Sequence, residues 1–479
     1  MSPILKRTLV GLVLAIVAAS AARAGDLAGG VKLKTFVRPK KSSSTPDRAF
    51  EYVQKVADFS LFDGQTRITP SGVGYVCLLE RAQGDQVLVT IRSQGLRGWV
   101  PAGSLVPLNH ADAYFSQQTQ ATPRDAFAFL MRGVVRYEND DLDRAFADVN
   151  EALRLDPKYV AALIERAYLW QCRDRLDLAL ADVNQGIQLD SRNSYAYVER
   201  GVFHFGMKDY GKALRDFEQA ARLGSRSAVI HLCKGMIHVE RGEGEPAIAE
   251  FNLAIQLDTK RLDAYIGLAT VYLLRSDSHK ALEVFNRAIE VDPRSAEAHE
   301  ARAVYFLSHG KHDKALEDLN EAVRLDPTTA SHLRVRARVF FEKGEFARAL
   351  ADLDGATRLE PSDAEGHQGR AWILATCPDA KIRNGSQAVV SATRACELTD
   401  WKVPHALTTL AAAFSETGNF AAAVEWQQKA LDLAADNSAQ KPEYRRLLGR
   451  YMAKKPYHRL GVLEEIGIQK TSTASKRGG

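Results

Sequence analysis

The feature that most constrains the fold of this chain is an interval of 34 residues at which small side chains recur. Three separate series of Ala or Gly keep this interval. They are Ala145, Ala179, Ala213, Ala247, Ala281, Ala315 and Ala349; Gly133, Ala167, Gly201, Gly235, Ala269, Ala303, Ala337 and Ala371; and Ala152, Gly186, Ala220, Ala254, Ala288, Ala322 and Ala356. Such a fixed interval indicates one structural unit stacked many times, because each unit buries the same face against its neighbour.

The residues between the small positions indicate that each unit is a pair of helices. Bulky apolar residues stand four positions after the first Ala series, one helical turn along the same face, at Val149, Val183, Phe217, Phe251, Phe285, Leu319 and Leu353. Two antiparallel helices can approach closely only where side chains are small, which explains the Gly and Ala positions. Asp156-Pro157 and its equivalents separate the units, because Pro is tolerated in the first turn of a helix and not inside it.

This pattern resembles the tetratricopeptide repeat. The resemblance implies a mainly α fold, an α-solenoid of nine helix-turn-helix repeats over residues 126–437. The repeats are 126–159, 160–193, 194–227, 228–261, 262–295, 296–329, 330–363, 364–402 and 404–437. The eighth has an extended loop between its helices, because the Ala expected at position 383 appears at Ala388.

A different pattern precedes the repeats, over residues 48–110. Short apolar runs alternate with turns at Gly84-Asp85 and Gln94-Gly95, which predicts β-strands. The ending Gly98-Trp99-Val100-Pro101, followed by a small-residue turn and a short apolar strand, resembles bacterial Src homology 3-like domains. That resemblance implies a small β-barrel before the solenoid.

The two ends of the chain predict export and a covered last repeat. Residues 1–24 have a basic start, an apolar run and Ala22-Arg23-Ala24 as a cleavage site, which is typical of a signal peptide. Residues 25–47 are predicted to be a flexible linker. Over 438–479 we expect a capping helix, with Tyr444, Leu447, Leu448 and Tyr451 at helical spacing, and then a disordered basic tail.

These features place the mature protein in the periplasm, the cell envelope or the medium, without a transmembrane segment once the signal is removed. An anchor formed by an uncleaved signal remains the alternative.

Charge and motifs argue against nucleic acid and against catalysis. The formal net charge is +5, but residues 1–24 carry +3 and residues 441–479 carry +7, which leaves about 5 − 3 − 7 = −5 for the body. Gly72-Val73-Gly74 lacks the third Gly of a dinucleotide loop, and the chain has no phosphate-binding loop, nucleophile elbow or zinc-binding helix motif. The sequence therefore predicts a non-enzymatic protein with no cofactor.

Histidine and cysteine leave two questions open. His204, His231 and His238 fall in neighbouring first helices near Cys233, but His204 and His238 occupy the position of Trp170 and Tyr272, so packing is favoured over metal binding. Of the five Cys, Cys377 and Cys396 bracket the extended loop and are the candidate disulfide; buried free thiols are the alternative.

By resemblance, the second, fifth, ninth and twelfth residues of each first helix line a concave groove. Here they are largely apolar in the first, third and fourth repeats: Phe127, Leu130, Val134, Tyr137, Tyr195, Val198, Val202, Phe205, Val229, Leu232, Met236 and Val239. Asp263, Glu297 and Glu300 bring acidic groups in the fifth and sixth repeats, and Arg334 and Arg338 bring basic ones in the seventh. A C-terminal carboxylate ligand is not expected, because Leu130 and Val134 replace the Lys and Asn that bind one in the family.

These observations predict an exported scaffold for protein–protein interaction that binds a peptide or protein segment, of unknown identity, in the groove. Either the superhelix or the barrel could instead cover the apolar residues. The alternative function is an envelope-anchoring module, in which the barrel binds peptidoglycan and the repeats are a spacer.

Overall fold

The structure, a computed structural model, describes residues 51–54, 61–63, 66–68, 76–91, 96–173, 175–435 and 440–458. The predicted signal, the linker and the tail after His458 lie outside the described residues. The described chain forms two compact units, which meet in sequence between Arg294 and Ser295.

The first unit opens with an antiparallel sheet of seven short strands. They are β1 (Glu51–Gln54), β2 (Leu61–Asp63), β3 (Thr66–Ile68), β4 (Val76–Gln83), β5 (Gln86–Ile91), β6 (Leu96–Pro101) and β7 (Leu105–Pro107), in the order β3-β2-β6-β5-β4-β1-β7. A 3₁₀ turn, Ala102–Ser104, joins β6 to β7. Val87, Val89 and Val100 are buried in this sheet. The described strands give a sheet with β3 and β7 at its edges, so the closed Src homology 3-like barrel remains a proposal.

Twenty helices follow in the described residues. In the first unit they are α1 (Leu108–Ala121), α2 (Ala126–Glu138), α3 (Leu142–Leu155), α4 (Val160–Cys172), α5 (Leu176–Leu189), α6 (Ser194–Gly206), α7 (Tyr210–Arg222), α8 (Ala228–Glu240), α9 (Gly244–Leu257), α10 (Leu262–Leu274) and α11 (Ser278–Val291). In the second they are α12 (Ala296–Ser308), α13 (His312–Leu325), α14 (Ala330–Glu342), α15 (Phe346–Leu359), α16 (Ala364–Thr376), α17 (Gly385–Leu398), α18 (Pro404–Glu416), α19 (Phe420–Leu433) and α20 (Lys441–Met452). Helices α2 to α19 pair into the nine repeats.

Aspartate forms the turn between repeats, with or without proline. The Asp156 carboxylate accepts a hydrogen bond from the Lys158 backbone N–H at 2.9 Å, before the next helix begins. Asp190 and Asp258 form the same bond, at 3.0 and 3.1 Å, although Ser191 and Thr259 stand where other repeats have Pro. The Asx turn, in which an Asp side chain bonds the backbone two residues on, therefore maintains the period where proline is missing.

Helix α1 is a half-repeat that the sequence analysis did not identify. Ala111 and Phe115 lie 34 residues before Ala145 and Val149, in phase with the period, and both are buried. They pack with Met131 of α2 as the second helix of a repeat would. Because β7 ends at residue 107 and α1 begins at residue 108, the sheet leads directly into the repeat stack.

A recurring ion pair joins the two helices of most repeats. An Arg at the seventh position donates two hydrogen bonds to an Asp sixteen residues later, as Arg166 does to Asp182 at 2.7 Å each. The other pairs are Arg132–Asp148, Arg200–Asp216, Arg302–Asp318 and Arg336–Asp352. These carboxylates are buried, so the paired geometry offsets the cost of removing their charge from water.

The carboxyl-terminal helix α20 covers the last repeat. Its buried side chains Tyr444, Leu447 and Tyr451 lie on one face. Leu447 and Tyr451 pack with Ala411 and Ala423 of the ninth repeat. The apolar end of the second unit is therefore shielded from water, as a stacked array requires.

Candidate functional site

The apolar residues that the sequence assigned to the groove lie mostly in the interior. Nine of the twelve have exposed fractions of 7% or less, and only Phe127, Tyr137 and Val239 are half-buried. Leu130 and Val134, for example, belong to a core cluster that includes Val149 and Ala162. The expectation of an exposed apolar lining therefore does not hold for these nine residues, because a side chain without exposed surface cannot contact a partner.

The two groove arginines differ from the apolar set because they keep exposed surface. The side chains of Arg334 and Arg338 are 21% and 39% exposed. Arg334 pairs with Asp363, at 3.3 Å from Nε to Oδ2, and with Glu365. Arg338 pairs with Glu342 one turn along its own helix, at 3.3 Å. These groups define a charged surface on the first helices of the second unit.

A buried histidine and glutamate lie beside these arginines in the sequence of the same helices. His332 Nδ1 is 2.5 Å from Glu300 Oε2, and Ser331 donates a hydrogen bond to the same oxygen at 3.0 Å. The side chains of His332 and Glu300 are 1% and 3% exposed. Glu300 Oε1 and His332 Nε2 have no hydrogen-bond partner among the described residues. The pair joins α12 to α14.

The residues after α20 return to the first helices of the eighth and ninth repeats. Arg450 donates a hydrogen bond to the Pro456 carbonyl at 2.8 Å. The Tyr457 ring lies 5.9 Å from the Trp372 ring, centroid to centroid. His458 Nε2 is 2.7 Å from Glu416 Oε2. A short extended segment of this chain therefore contacts Trp372 and Glu416 through side chains.

We call the surface formed by Arg334, Arg338, Glu365, Trp372 and Glu416 the first-helix face of the second unit. Helices α14, α16 and α18, the first helices of the seventh, eighth and ninth repeats, each contribute to it. Arg338 and Trp372 occupy the same position of successive repeats, 34 residues apart. The face therefore combines cations, carboxylates and an aromatic ring, which are groups that can bind a peptide but have no arrangement for catalysis.

The extended loop of the eighth repeat is held without a disulfide. All five cysteines are free and buried, and Cys377 and Cys396 lie in different core clusters. Arg383 holds the loop instead: it donates to the Cys377 carbonyl at 2.8 Å and to Glu416 at 2.9 Å. The predicted bridge is therefore wrong for this structure. Burial raises the pKa of Cys396 to about 12, so its thiol stays protonated near neutral pH.

The histidines considered as metal ligands have other contacts. His231 Nδ1 is 2.6 Å from Glu250, and His238 Nδ1 is 2.5 Å from Glu243. Burial lowers the pKa of His204, which favours its neutral form. Within the described part of the chain, no group of three or more His, Cys, Asp or Glu is arranged to hold a metal ion. No described helix is long and apolar enough to cross a bilayer.

Stacked helical hairpins with a charged first-helix face define a helical repeat protein. Family models described as tetratricopeptide repeat match residues 266–330, 334–376 and 404–437. The chain therefore contains tetratricopeptide repeats, and the predicted mainly helical repeat fold is confirmed. A comparison with curated proteins finds no significant match.

Several solved structures are similar to this chain. One is a tetratricopeptide repeat protein from Parabacteroides merdae, at 18% identity and a TM-score of 0.42, covering 51% of this chain and 97% of that one. Another is YrrB, described as a TPR protein with an unusual peptide-binding site, at 24% identity and a TM-score of 0.29, covering 37% and 92%. A third is yeast Tom70, at 16% identity and a TM-score of 0.35, covering 72% and 92%.

Proposed function

We propose that this protein is a non-enzymatic scaffold for protein–protein interaction and that it binds an extended peptide segment on the first-helix face of the second unit. The observation that carries the proposal is the segment Pro456–His458, which already lies on that face through Tyr457 and His458. A surface that accepts one segment of polypeptide in this way offers the same groups to another.

The contacts of this segment indicate how a partner would be recognised. Tyr457 packs its ring near Trp372 and lies under the Arg446 guanidinium, whose Cζ is 5.4 Å from the ring centroid. Glu416 provides a carboxylate for a polar or cationic side chain next to the aromatic one. A partner segment would thus place an aromatic or aliphatic side chain against Trp372, and charged side chains near Glu416 and Arg338 would set its register.

The proposal includes export and a separate amino-terminal module. Export rests on the sequence of residues 1–24. The module rests on the sheet of β1 to β7 and on the resemblance of its last strands to Src homology 3-like domains. Because α1 continues from β7 and packs on α2, the module would be carried in a fixed position at the start of the repeats.

The test is a selection of random twelve-residue peptides, displayed on phage, against the full-length chain. We expect enriched peptides to share one aromatic or aliphatic position flanked by charged residues. One enriched peptide is then synthesised with a fluorophore, and its binding is measured by anisotropy. Arg338→Glu should weaken binding at least about tenfold, which corresponds to losing roughly 1.4 kcal/mol of binding free energy.

The matched control for this substitution is Arg394→Glu. Arg394 lies on the second helix α17, is 47% exposed, and pairs with a glutamate on its own helix much as Arg338 does. Its substitution should leave peptide binding unchanged. A selection without any consensus, or peptides that bind both variants equally, would refute binding at the first-helix face.

A further inference from the structure

We propose that residues 459–468 of this chain bind the first-helix face at the seventh repeat, beside Arg338, and so occupy the surface described above until a partner displaces them. This inference rests on the proposed function, because it names the first occupant of the same face. It depends on three observations: the direction of the described tail, the repeat geometry of the face and the chemistry of the residues that follow.

The described tail runs from the cap towards lower-numbered repeats. Its first contact is with α20, through Arg450 and the Pro456 carbonyl. Tyr457 then reaches Trp372 of the eighth repeat. His458 reaches Glu416, which also accepts a hydrogen bond from Arg383 in the loop of the eighth repeat. The chain therefore leaves the described structure next to the eighth repeat, with the seventh as the next unit in the stack.

The repeat geometry places Arg338 within reach. Arg338 precedes Trp372 by 34 residues and holds the same position in its repeat. Packed helices are about 8–10 Å apart, and an extended chain advances about 3.3 Å per residue. About three residues therefore span one repeat, and the six or seven residues from His458 to Glu464 and Glu465 are more than sufficient.

The residues that follow His458 match what this part of the face offers. Five apolar residues, Leu460, Val462, Leu463, Ile466 and Ile468, surround the acidic pair Glu464-Glu465. Arg338 is 39% exposed, and its pair with Glu342 is solvent-exposed, so exchanging that carboxylate for another costs little. Phe341, half-buried on the same helix, offers apolar surface three residues from Arg338. An amphipathic acidic segment therefore suits this position.

The test is zero-length carbodiimide coupling in the full-length chain, using the variant Arg338→Lys. A carbodiimide joins an amine to a carboxylate only when the two are in contact, and mass spectrometry of the digest identifies the pair. We expect a link between position 338 and Glu464 or Glu465. Lys343 and Asp313, which are 2.6 Å apart, provide an internal positive control in the same sample. Arg394→Lys is the matched control, for which no link to Glu464 or Glu465 is expected.

Each outcome decides the proposal. A link from position 338 to the acidic pair, with a yield independent of protein concentration, supports it. If the Lys343–Asp313 link forms but position 338 couples no more to the acidic pair than position 394 does, the proposal is wrong. A link found only between isotopically labelled and unlabelled chains would assign the segment to a second copy and overturn intramolecular binding. Because no added peptide is involved, failure here leaves the displayed-peptide test of the proposed function intact.

Discussion

The packing of Phe251 between two glycines leads to a quantitative prediction. A Cβ atom added at Gly235 would lie 2.8 Å from the Phe251 ring, and one added at Gly267 in the next repeat would lie 2.7 Å from it. The ring is fully buried, so it cannot move away from one helix without approaching the other. Repeats six and seven, by contrast, pair Ala303 with Leu319 and Ala337 with Leu353. The size of one residue therefore depends on the size of the other.

The expected magnitudes follow from this geometry. Gly235→Ala should cost about 1–3 kcal/mol through overpacking, offset by about 1 kcal/mol of helix propensity, for a net loss of about 1–2 kcal/mol. Phe251→Leu should cost about 1–2 kcal/mol by leaving space in the core. In the double variant the new methyl group fills part of that space. We therefore expect a total loss of about 1–2 kcal/mol rather than the additive 2–4 kcal/mol.

The assay is native-state amide hydrogen exchange of α8 and α9, which reports the local free energy of opening in a chain with more than one unit. A coupling free energy of at least about 1 kcal/mol is expected. Additivity of the two changes within about 0.5 kcal/mol would refute the steric argument. Gly449→Ala in α20 is the control: no atom lies within 4 Å of its added Cβ, so it should stabilise that helix by up to about 1 kcal/mol.

Three further predictions concern charge, thiols and the half-repeat. Burial is the largest influence on the pKa of Asp318 and raises it, but the hydrogen bonds and charges of Arg302 and His299 together lower it below its usual value. The pair therefore stabilises the fold above the usual Asp pKa of about 3.9 and loses this contribution as the pH falls through the lowered value. Asp318→Asn should flatten the acid-induced loss of stability, followed by hydrogen exchange of α12 and α13; an unchanged acid profile would contradict this. The five buried thiols should react slowly with Ellman's reagent in native protein and all react in denaturant without reductant; fewer than five would reveal a disulfide. Phe115→Ala should reduce the protection of α2 amides by about 3–5 kcal/mol, and unchanged protection would mean that α1 does not cover the first repeat.

Periodic features could be predicted from the sequence because every repeat reports on the same contact. Ala247 and Phe251, for example, both lie on the second helix of their repeat and are buried, as the shared interval predicted. The half-repeat α1 was missed although Ala111 and Phe115 keep the interval. A search for whole repeats stops there, because β7 stands where a first helix would be.

Exposure could not be predicted from the same pattern. Apolar residues at the groove positions of the first unit look alike whether a partner or the protein itself covers them, and most are interior. A burial estimate needs the neighbouring repeats in place, since each side chain contacts residues about one period away in the sequence. Charged residues at the same positions are more informative, because an unpaired charge is costly to bury. Arg334 and Arg338 accordingly keep exposed surface.

The contacts of the tail lie beyond any periodic argument because they occur once. Tyr457 is 85 residues from Trp372 in the sequence, and no repeated spacing links the two. Position nine carries Arg338 in one repeat and Trp372 in the next, so the period conserves the place of a side chain on the face and leaves its chemistry free. Such positions are where one repeat can differ from its neighbours without disturbing the Asp turns or the buried Ala and Gly contacts. The repeats therefore supply the scaffold, and the differences between them at the first-helix face determine which peptide it can bind.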